Sequence, residues 1–175
     1  MTAEILCSVI ISLGLANSDT ACDNMQTIVK ESEKNDLDPA LVIALIYVES
    51  RFNDKVVSKS NACGLTQVLP KYTKKYSDKN RNLTCDELKD PTISINTGTR
   101  ILNYWIYKYA RGNIKTGLCG YNAGFRCKGE NKSKKGISYS KKVLIYQRRI
   151  KRKYKKILND QTAPKSRNQI TFKQP

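Results

Sequence analysis

Residues 38–50 read DPALVIALIYVES, and this segment predicts the most buried helix of the chain. Asp38 is a typical N-cap residue and Pro39 is favoured in a first turn, so a helix begins here. The next nine residues are apolar almost throughout, and a helix that is apolar on every side is buried. The helix ends at Glu49. Burial would raise the pKa of that carboxyl by disfavouring its charged form, so Glu49 is the candidate acid; an ordinary carboxylate at a helix end is the alternative.

Helical spacing of apolar residues recurs on both sides of this segment, whereas residues 53 to 82 are rich in loop-forming residues. At 175 residues the chain is long enough for one domain with a sizeable core and too short for two ordinary ones. The further predicted helices run from Asp23 to Lys34, from Asp90-Pro91 to a stop at Gly112, from Asn113 to Cys119 before a turn-rich stretch at 120–136, and from about Ser138 to Leu158. The sequence therefore predicts a mainly α single domain.

The two ends of the chain differ from its middle. Residues 1–22 hold an apolar run, Ile5 to Ala16, preceded by Glu4 and by no basic residue. This run is either a cleavable export signal or a helix that packs on the domain or on a partner. No stretch of 18 apolar residues occurs, which argues against a membrane span. The domain proper is expected to cover residues 23–158, and residues 159–175 are expected to form a basic flexible tail.

The net charge of +17 is confined to the last third of the chain. Residues 1–110 carry 13 basic and 13 acidic side chains, while the remaining 65 carry 19 basic and two acidic ones. Seven of the nine residues from Arg148 to Lys156 are Lys or Arg. A solvated helix face is one interpretation; the other is contact with an anionic surface, namely a polyanionic polymer, lipid headgroups or DNA. The tyrosines interleaved with these cations suit packing on the domain and not stacking on bases, so nucleic acid is the less favoured partner.

The chain has no histidine, which excludes Ser-His-Asp and Cys-His nucleophilic sites and the usual zinc sites. No metal or cofactor is expected. The six cysteines form no CxxC pair, so disulfides are favoured over metal binding, with reduced thiols as the alternative. Six cysteines allow 15 pairings, which stay open, although Cys119 and Cys127 bracket a short loop.

Several short motifs follow Glu49 in a fixed order. They are Glu49-Ser50, Ser58, Gly64-Leu65-Thr66-Gln67, Asp90-Pro91 with Asn96 and Gly98, Tyr121-Asn122-Ala123-Gly124, and Tyr139. This order resembles the soluble lytic transglycosylases of glycoside hydrolase family 23, lysozyme-like enzymes that cut bacterial peptidoglycan. The resemblance covers roughly residues 23 to 150. It implies a lysozyme-like fold with a loop-rich substrate cleft.

The resemblance also assigns roles to individual residues. Glu49 would be the sole catalytic acid/base, and Tyr121 and Tyr139 would be phenols that flank it and hydrogen-bond to it. Ser58 and Gln67 would contact substrate, and Asn122 would lie in the loop lining the cleft. Three residues depart from the family pattern: Thr66 stands where Met is usual, Lys59 for Pro and Asn61 for Gly. We expect these three on the substrate-facing turn, where they would alter subsite preference.

The implied reaction is cleavage of the bond between N-acetylmuramic acid and N-acetylglucosamine, with a 1,6-anhydro product. Such enzymes open the wall during phage infection, serve secretion or conjugation machines, or turn the wall over. The expected place of action is the periplasm or cell wall, reached from a virion or by export. A structural virion or secretion component with a glycan-binding module is the alternative.

Overall fold

The computed structural model describes residues 1–129 and 132–162. Within these ranges the regular structure is helical. The elements are α1 (Ala3–Ser12), α2 (Ser18–Asp23), α3 (Met25–Lys34), α4 (Pro39–Ser50), α5 (Cys85–Leu88), α6 (Pro91–Asn103) continued by a π-helical stretch (Tyr104–Tyr109), α7 (Ile114–Ala123) and α8 (Lys134–Thr162), with 3₁₀ turns at Pro70–Tyr72 and Lys74–Tyr76. The mainly α prediction is confirmed.

Helix α4 lies at the centre of the core, as its composition predicts. Residues Ala40 to Ile46 are buried without a break. Asp38 caps the first turn, because its Oδ1 accepts a hydrogen bond of 2.9 Å from the backbone N–H of Ala40. The predicted start and end of this helix are both confirmed.

Helix α8 runs antiparallel to α4 and makes a side-chain contact near each end of α4. Near one end, Tyr139 hydrogen-bonds Glu49. At the other end, the Nζ of Lys151 lies 2.8 Å from Asp38 Oδ2, the same carboxylate that caps α4. Helix α8 begins four residues before the expected Ser138 and continues four beyond Leu158. The first residues assigned to a tail, 159 to 162, are therefore helical, and 163–175 lie outside the described residues.

The N-terminal apolar run forms α1 and packs into the core. Leu6, Val9 and Ile10 are fully buried, and a disulfide joins Cys7 to Cys22 at the end of α2. The run is thus a packed helix in this structure, and its cleavage as an export signal stays a prediction. Along the stretches that the structure describes, no helix has both the length and the apolarity needed to cross a bilayer.

Helix α7 differs from its prediction. It continues to Ala123, four residues past the expected end, so Tyr121 and Asn122 are helical and not part of a loop. A disulfide between Cys119 and Cys127 holds the turn that follows, and a third joins Cys63 to Cys85. All six cysteines are paired, which confirms the preference for disulfides.

Candidate active site

The site is built around the C-terminal end of α4, where the chain reverses sharply. Ser50 is buried, and the next two residues take left-handed backbone conformations, Arg51 at φ 53° and Phe52 at φ 60°. Such conformations are costly for non-glycine residues and are found where the surrounding structure imposes them, often at functional sites. Burial of Phe52, which is 1% exposed, offsets this cost. The reversal leaves Glu49 in the last turn of α4, facing α8.

Glu49 is held by one short hydrogen bond. The hydroxyl of Tyr139 donates to Glu49 Oε1 at 2.6 Å, while Oε2 accepts no hydrogen bond from the described residues. Burial raises the pKa of the Glu49 carboxyl from 4.5 to about 7, against smaller lowering effects of the Tyr139 hydrogen bond and the charge of Lys135. The carboxyl therefore holds its proton into the neutral range and has one oxygen free to deliver it.

Tyr121 and Tyr139 both lie close enough to this carboxyl to feel its charge, and burial, followed by the charge of Glu49, raises the pKa of both phenols well above 10. They are neutral hydrogen-bond donors at any physiological pH. Only Tyr139 donates to Glu49. The Tyr121 hydroxyl donates instead to the backbone carbonyl of Thr66 at 2.8 Å, so the expected hydrogen bond from Tyr121 to Glu49 is absent from the described site. Tyr121 thereby joins α7 to the loop on the opposite side.

That loop, residues 53–68, is shaped by short antiparallel bridges of Cys63 with Val57 and with Val68. Gln67 closes it. Its Nε2 donates to the carbonyls of Val56 and Gly64, at 3.1 and 3.0 Å, from a backbone with φ 49°. The polar partners that a glutamine in an apolar run requires are therefore backbone carbonyls. Its side-chain carbonyl takes no part in these bonds and remains available.

Ser58 turns the tip of the same loop. Its Oγ accepts hydrogen bonds from the backbone N–H groups of Ser60 and Ala62, at 3.3 and 3.0 Å. Two exposed residues, Lys59 and Asn61, lie between these contacts. Asn61 has φ 59°, a conformation that favours glycine and that asparagine tolerates better than most residues. The substitution of Asn for the family's Gly is thus compatible with the same turn.

Thr66 does not lie on a substrate-facing turn, contrary to expectation. It is fully buried, and its Oγ1 contacts the carbonyl and hydroxyl of Ser94 in α6 at 2.9 and 3.0 Å. A Cβ on Gly98 would lie 2.5 Å from the Thr66 side chain, so glycine permits this close packing. Thr66 fixes the loop to α6, and only its backbone carbonyl reaches towards the site.

The structure brings four of the six predicted residues together: Tyr139 bonds to Glu49, and Tyr121 bonds to the residue that precedes Gln67. Ser58 lies further along the Gln67 loop. Asn122 is exposed on α7, next to Tyr121, and not in a loop as predicted. The prediction failed because the glycine-containing stretch from Gly120 onward was interpreted as a turn, whereas α7 continues to Ala123.

Sequence reasoning missed Lys135. Its charge is the largest favourable charge–charge influence on the ionised form of Glu49. It precedes Tyr139 by four residues, and residues spaced by four lie on one helix face. The spacing was visible in the sequence, but it had no meaning while α8 was expected to begin at Ser138.

Among the described residues, no second carboxylate contributes to the shift in the pKa of Glu49. Asp54, the nearest acidic residue after Glu49 in the sequence, forms an ion pair of 2.9 Å with the neighbouring Lys55. The ranges 1–129 and 132–162 contain no cluster of three or more acidic or cysteine side chains that could hold a metal ion. The arrangement can therefore donate and accept a proton at one carboxyl flanked by neutral phenols.

Comparison with known proteins places this site in a family. The family model for the transglycosylase SLT domain matches residues 26–144. A transglycosylase of Enterobacteria phage PRD1 is 31% identical over 119 residues, covering 68% of this chain and 41% of the phage protein. The present chain thus spans less than half the length of that relative.

Two solved structures share the fold. An inactive mutant of the lytic transglycosylase Slt from Pseudomonas aeruginosa superposes with a TM-score of 0.65 at 23% identity, covering 85% of this chain and 27% of that one. The 70 kDa soluble lytic transglycosylase from Escherichia coli gives a TM-score of 0.64 at 24% identity, covering 73% and 24%. These likenesses confirm the expected lysozyme-like architecture. With the family model matching over two thirds of its length, the chain belongs to the transglycosylase SLT domain family.

Proposed function

We propose that this protein is a peptidoglycan lytic transglycosylase. It cleaves the β-1,4 bond between N-acetylmuramic acid and N-acetylglucosamine and leaves a 1,6-anhydromuramyl end. The observation that carries the proposal is the single carboxyl of the site, Glu49, whose pKa is raised to about 7 by burial. Glycosidases that use water usually need two carboxylates, one as acid and one as base or nucleophile. An intramolecular nucleophile removes the need for the second.

The reaction uses Glu49 twice. The protonated carboxyl first gives its proton to the glycosidic oxygen, and the bond from that oxygen to the muramyl C1 breaks. The resulting carboxylate then takes the proton from the muramyl C6 hydroxyl, whose oxygen forms the new bond to C1. The proton balance closes without water, since one proton moves from O6 to the leaving oxygen by way of Glu49.

The residues around Glu49 suit these two roles. Tyr139 occupies Oε1, which leaves Oε2 to face the substrate. The hydrogen bond that the Tyr139 hydroxyl donates becomes stronger when the carboxylate forms, because hydrogen bonds to charged acceptors are stronger. Lys135 favours the same ionised state through its charge. Burial favours the protonated state instead, so the carboxyl is close to half-protonated at neutral pH and can both donate and accept a proton.

Substrate contacts are proposed for Ser58, Gln67, Tyr121 and Asn122. Gln67 retains a free side-chain carbonyl after its amide nitrogen has closed the loop. The Ser58 hydroxyl accepts two backbone hydrogen bonds and keeps its own proton to donate. Asn122 is exposed beside Tyr121 and carries no hydrogen bond to the described residues that would immobilise its amide. Each offers a polar group suited to sugar hydroxyl or acetamido groups.

The biological setting we favour is a cell wall reached from outside the cytoplasm. Three disulfides cross-link the described fold, which suits an oxidising compartment. The phage transglycosylase relative supports a virion-associated enzyme that opens the wall locally during infection. Export for a secretion or conjugation machine is the second setting.

The test is digestion of purified sacculi by the full chain, with product analysis by mass spectrometry. We expect anhydromuramyl ends, each lighter by one water than a reducing end. Glu49→Gln should abolish cleavage while preserving the Tyr139 hydrogen bond, since the amide oxygen still accepts. Glu33→Gln, a change at an exposed carboxylate, is the matched control and should cut normally. Ordinary reducing ends, or cleavage by Glu49→Gln, would refute the proposal.

A further inference from the structure

A dense group of cations occupies the second half of α8. We define the distal cation patch as Arg148, Lys151, Arg152, Lys155 and Lys156, all exposed. Arg148, Arg152 and Lys155 follow i, i+4, i+7 spacing, so they form one ridge along the helix. Ile150, between them in sequence, is fully buried on the opposite side. The ridge therefore faces solvent because the apolar side of α8 is already used by the core.

The distal cation patch has little internal compensation. In the part of the chain that the structure describes, Lys151 is the one member paired with a carboxylate, through Asp38 at 2.8 Å. The other members face each other with like charge, an arrangement that destabilises the isolated molecule and is relieved by an external anion. A solvated surface would need neither this density nor this segregation.

The patch and the carboxyl of the site lie at opposite ends of α4. Helices α4 and α8 are antiparallel, with Tyr139 bonded to Glu49 at one end and Lys151 to Asp38 at the other. Asp38 and Glu49 are eleven residues apart on α4, which is about 16 Å of helix. A glycan bound at Glu49 is thus remote from the distal cation patch, and the anion that the patch attracts is separate from the substrate in the cleft.

An open groove with apolar walls adjoins the cations. It measures about 570 Å³ and is lined by Pro39 and Tyr154 together with Lys151, Arg152 and Lys155. Asp38 also borders it, but its carboxylate is neutralised by Lys151 and hydrogen-bonded by Gln147 at 3.1 Å. Apolar walls beneath a cationic rim match an amphiphile with an anionic head. Nucleic acids and anionic wall polymers supply the charge and lack the apolar part.

We infer that the distal cation patch and its groove form a docking site for the anionic headgroup surface of a phospholipid bilayer. The bilayer would contact the molecule near the Asp38 end of α4, which leaves Glu49 at the other end of that helix. The contact is peripheral, because the apolar side of α8 is buried in the fold and is not available for insertion. This inference does not depend on the proposed reaction.

The experiment measures binding of the full chain to sedimenting vesicles at physiological salt. Vesicles of phosphatidylcholine mixed with phosphatidylglycerol should bind the protein, and vesicles of phosphatidylcholine alone should not. A basic residue near an anionic bilayer contributes about a fivefold gain in binding. The triple variant Arg148→Gln/Arg152→Gln/Lys155→Gln should therefore bind roughly a hundredfold more weakly.

A matched control removes the same charge elsewhere. Lys30, Lys108 and Lys115 are exposed outside α8, and replacing all three by Gln should change binding less than about threefold, because salt screens distant charges. Arg148→Lys/Arg152→Lys keeps the charge and should bind like the parent. No variant should have a lower unfolding midpoint than the parent, and the triple variant should gain slightly because it loses like-charge repulsion. Cleavage of sacculi should be the same for all variants, which separates this inference from the proposed activity.

Equal binding to both vesicle types, an unaffected triple variant or an equal loss in the matched control would overturn the inference. So would duplex DNA that binds more tightly than the vesicles and shows the same loss in the triple variant. Soluble glycerol phosphate should fail to displace the protein at concentrations matching the accessible lipid. Displacement would show a simple phosphate site and would also overturn it.

Discussion

Replacing Glu49 by Gln should stabilise the fold at neutral pH while removing activity. Burial raises the pKa of this carboxyl from 4.5 to about 7 in the folded protein. Because the folded-state pKa exceeds the unfolded one, ionisation is less favourable in the folded state. The cost is absent below about pH 4, grows between the two pKa values and is complete above the folded one. Gln mimics the protonated acid and avoids this cost.

The magnitude follows from the shift. At about 1.36 kcal/mol per pKa unit, the variant should gain about 3 kcal/mol at pH 7.5 and close to nothing at about pH 4. For a chain of this size such a gain corresponds to roughly 6 to 12 °C in Tm. The hydrogen bond from Tyr139 is retained by the amide oxygen, so no large opposing loss is expected.

The assay is urea unfolding of both proteins with disulfides intact, monitored by far-UV circular dichroism and repeated at a series of pH values. The difference in unfolding free energy should rise with pH and level off above about pH 7. Glu33→Gln, at an exposed position, serves as the control and should show no such rise. A difference that is independent of pH, or a destabilised Glu49→Gln at about pH 8, would refute the assignment of a half-buried, proton-holding carboxyl.

Three further predictions concern the surroundings of the site. Lys135→Met should raise the pKa of the site's carboxyl and move the alkaline fall of kcat/KM to higher pH, since the charge of Lys135 lowers that pKa; an unmoved pH–rate profile would contradict the role of this charge. Gly98→Ala should lower the unfolding free energy by about 1–3 kcal/mol, because the added Cβ would lie 2.5 Å from the Thr66 side chain. An unchanged urea midpoint would mean that the neighbouring side chains shift to accommodate the added methyl group. Replacing both Cys119 and Cys127 by Ala opens a cross-link over eight residues, which should cost about 2 kcal/mol in urea unfolding. Full stability of that double variant would show that the turn is held by other contacts.

The central helix was predictable from sequence because local and global preferences agree there. Asp38-Pro39 begins α4 and its apolar residues require burial wherever the rest of the chain goes. The same agreement placed Glu49 at the end of the core. The left-handed conformations of Arg51 and Phe52 were not predictable, since neither residue favours them; tertiary packing imposes them.

The later part of the site was harder to predict. Residues 120–136 are rich in Gly, Lys and Ser, so local propensity indicated a long turn. Packing of α7 against α8 extends both helices into this stretch, with Asn122 and Lys135 as the residues affected. Thr66 was assigned to the substrate side by analogy, whereas its hydroxyl bonds within the core to Ser94. A polar residue in a loop carries no indication of the side on which its partner lies.

The disulfide pattern has a consequence for how the chain is made. The six cysteines pair in consecutive order along the sequence. The first pairs with the second, Cys7 with Cys22, the third with the fourth, Cys63 with Cys85, and the fifth with the sixth, Cys119 with Cys127. A chain emerging N-terminus first into an oxidising compartment presents its cysteines in this same order. Oxidation of each newly exposed pair then gives the native connectivity directly, so we expect maturation to be independent of a disulfide isomerase.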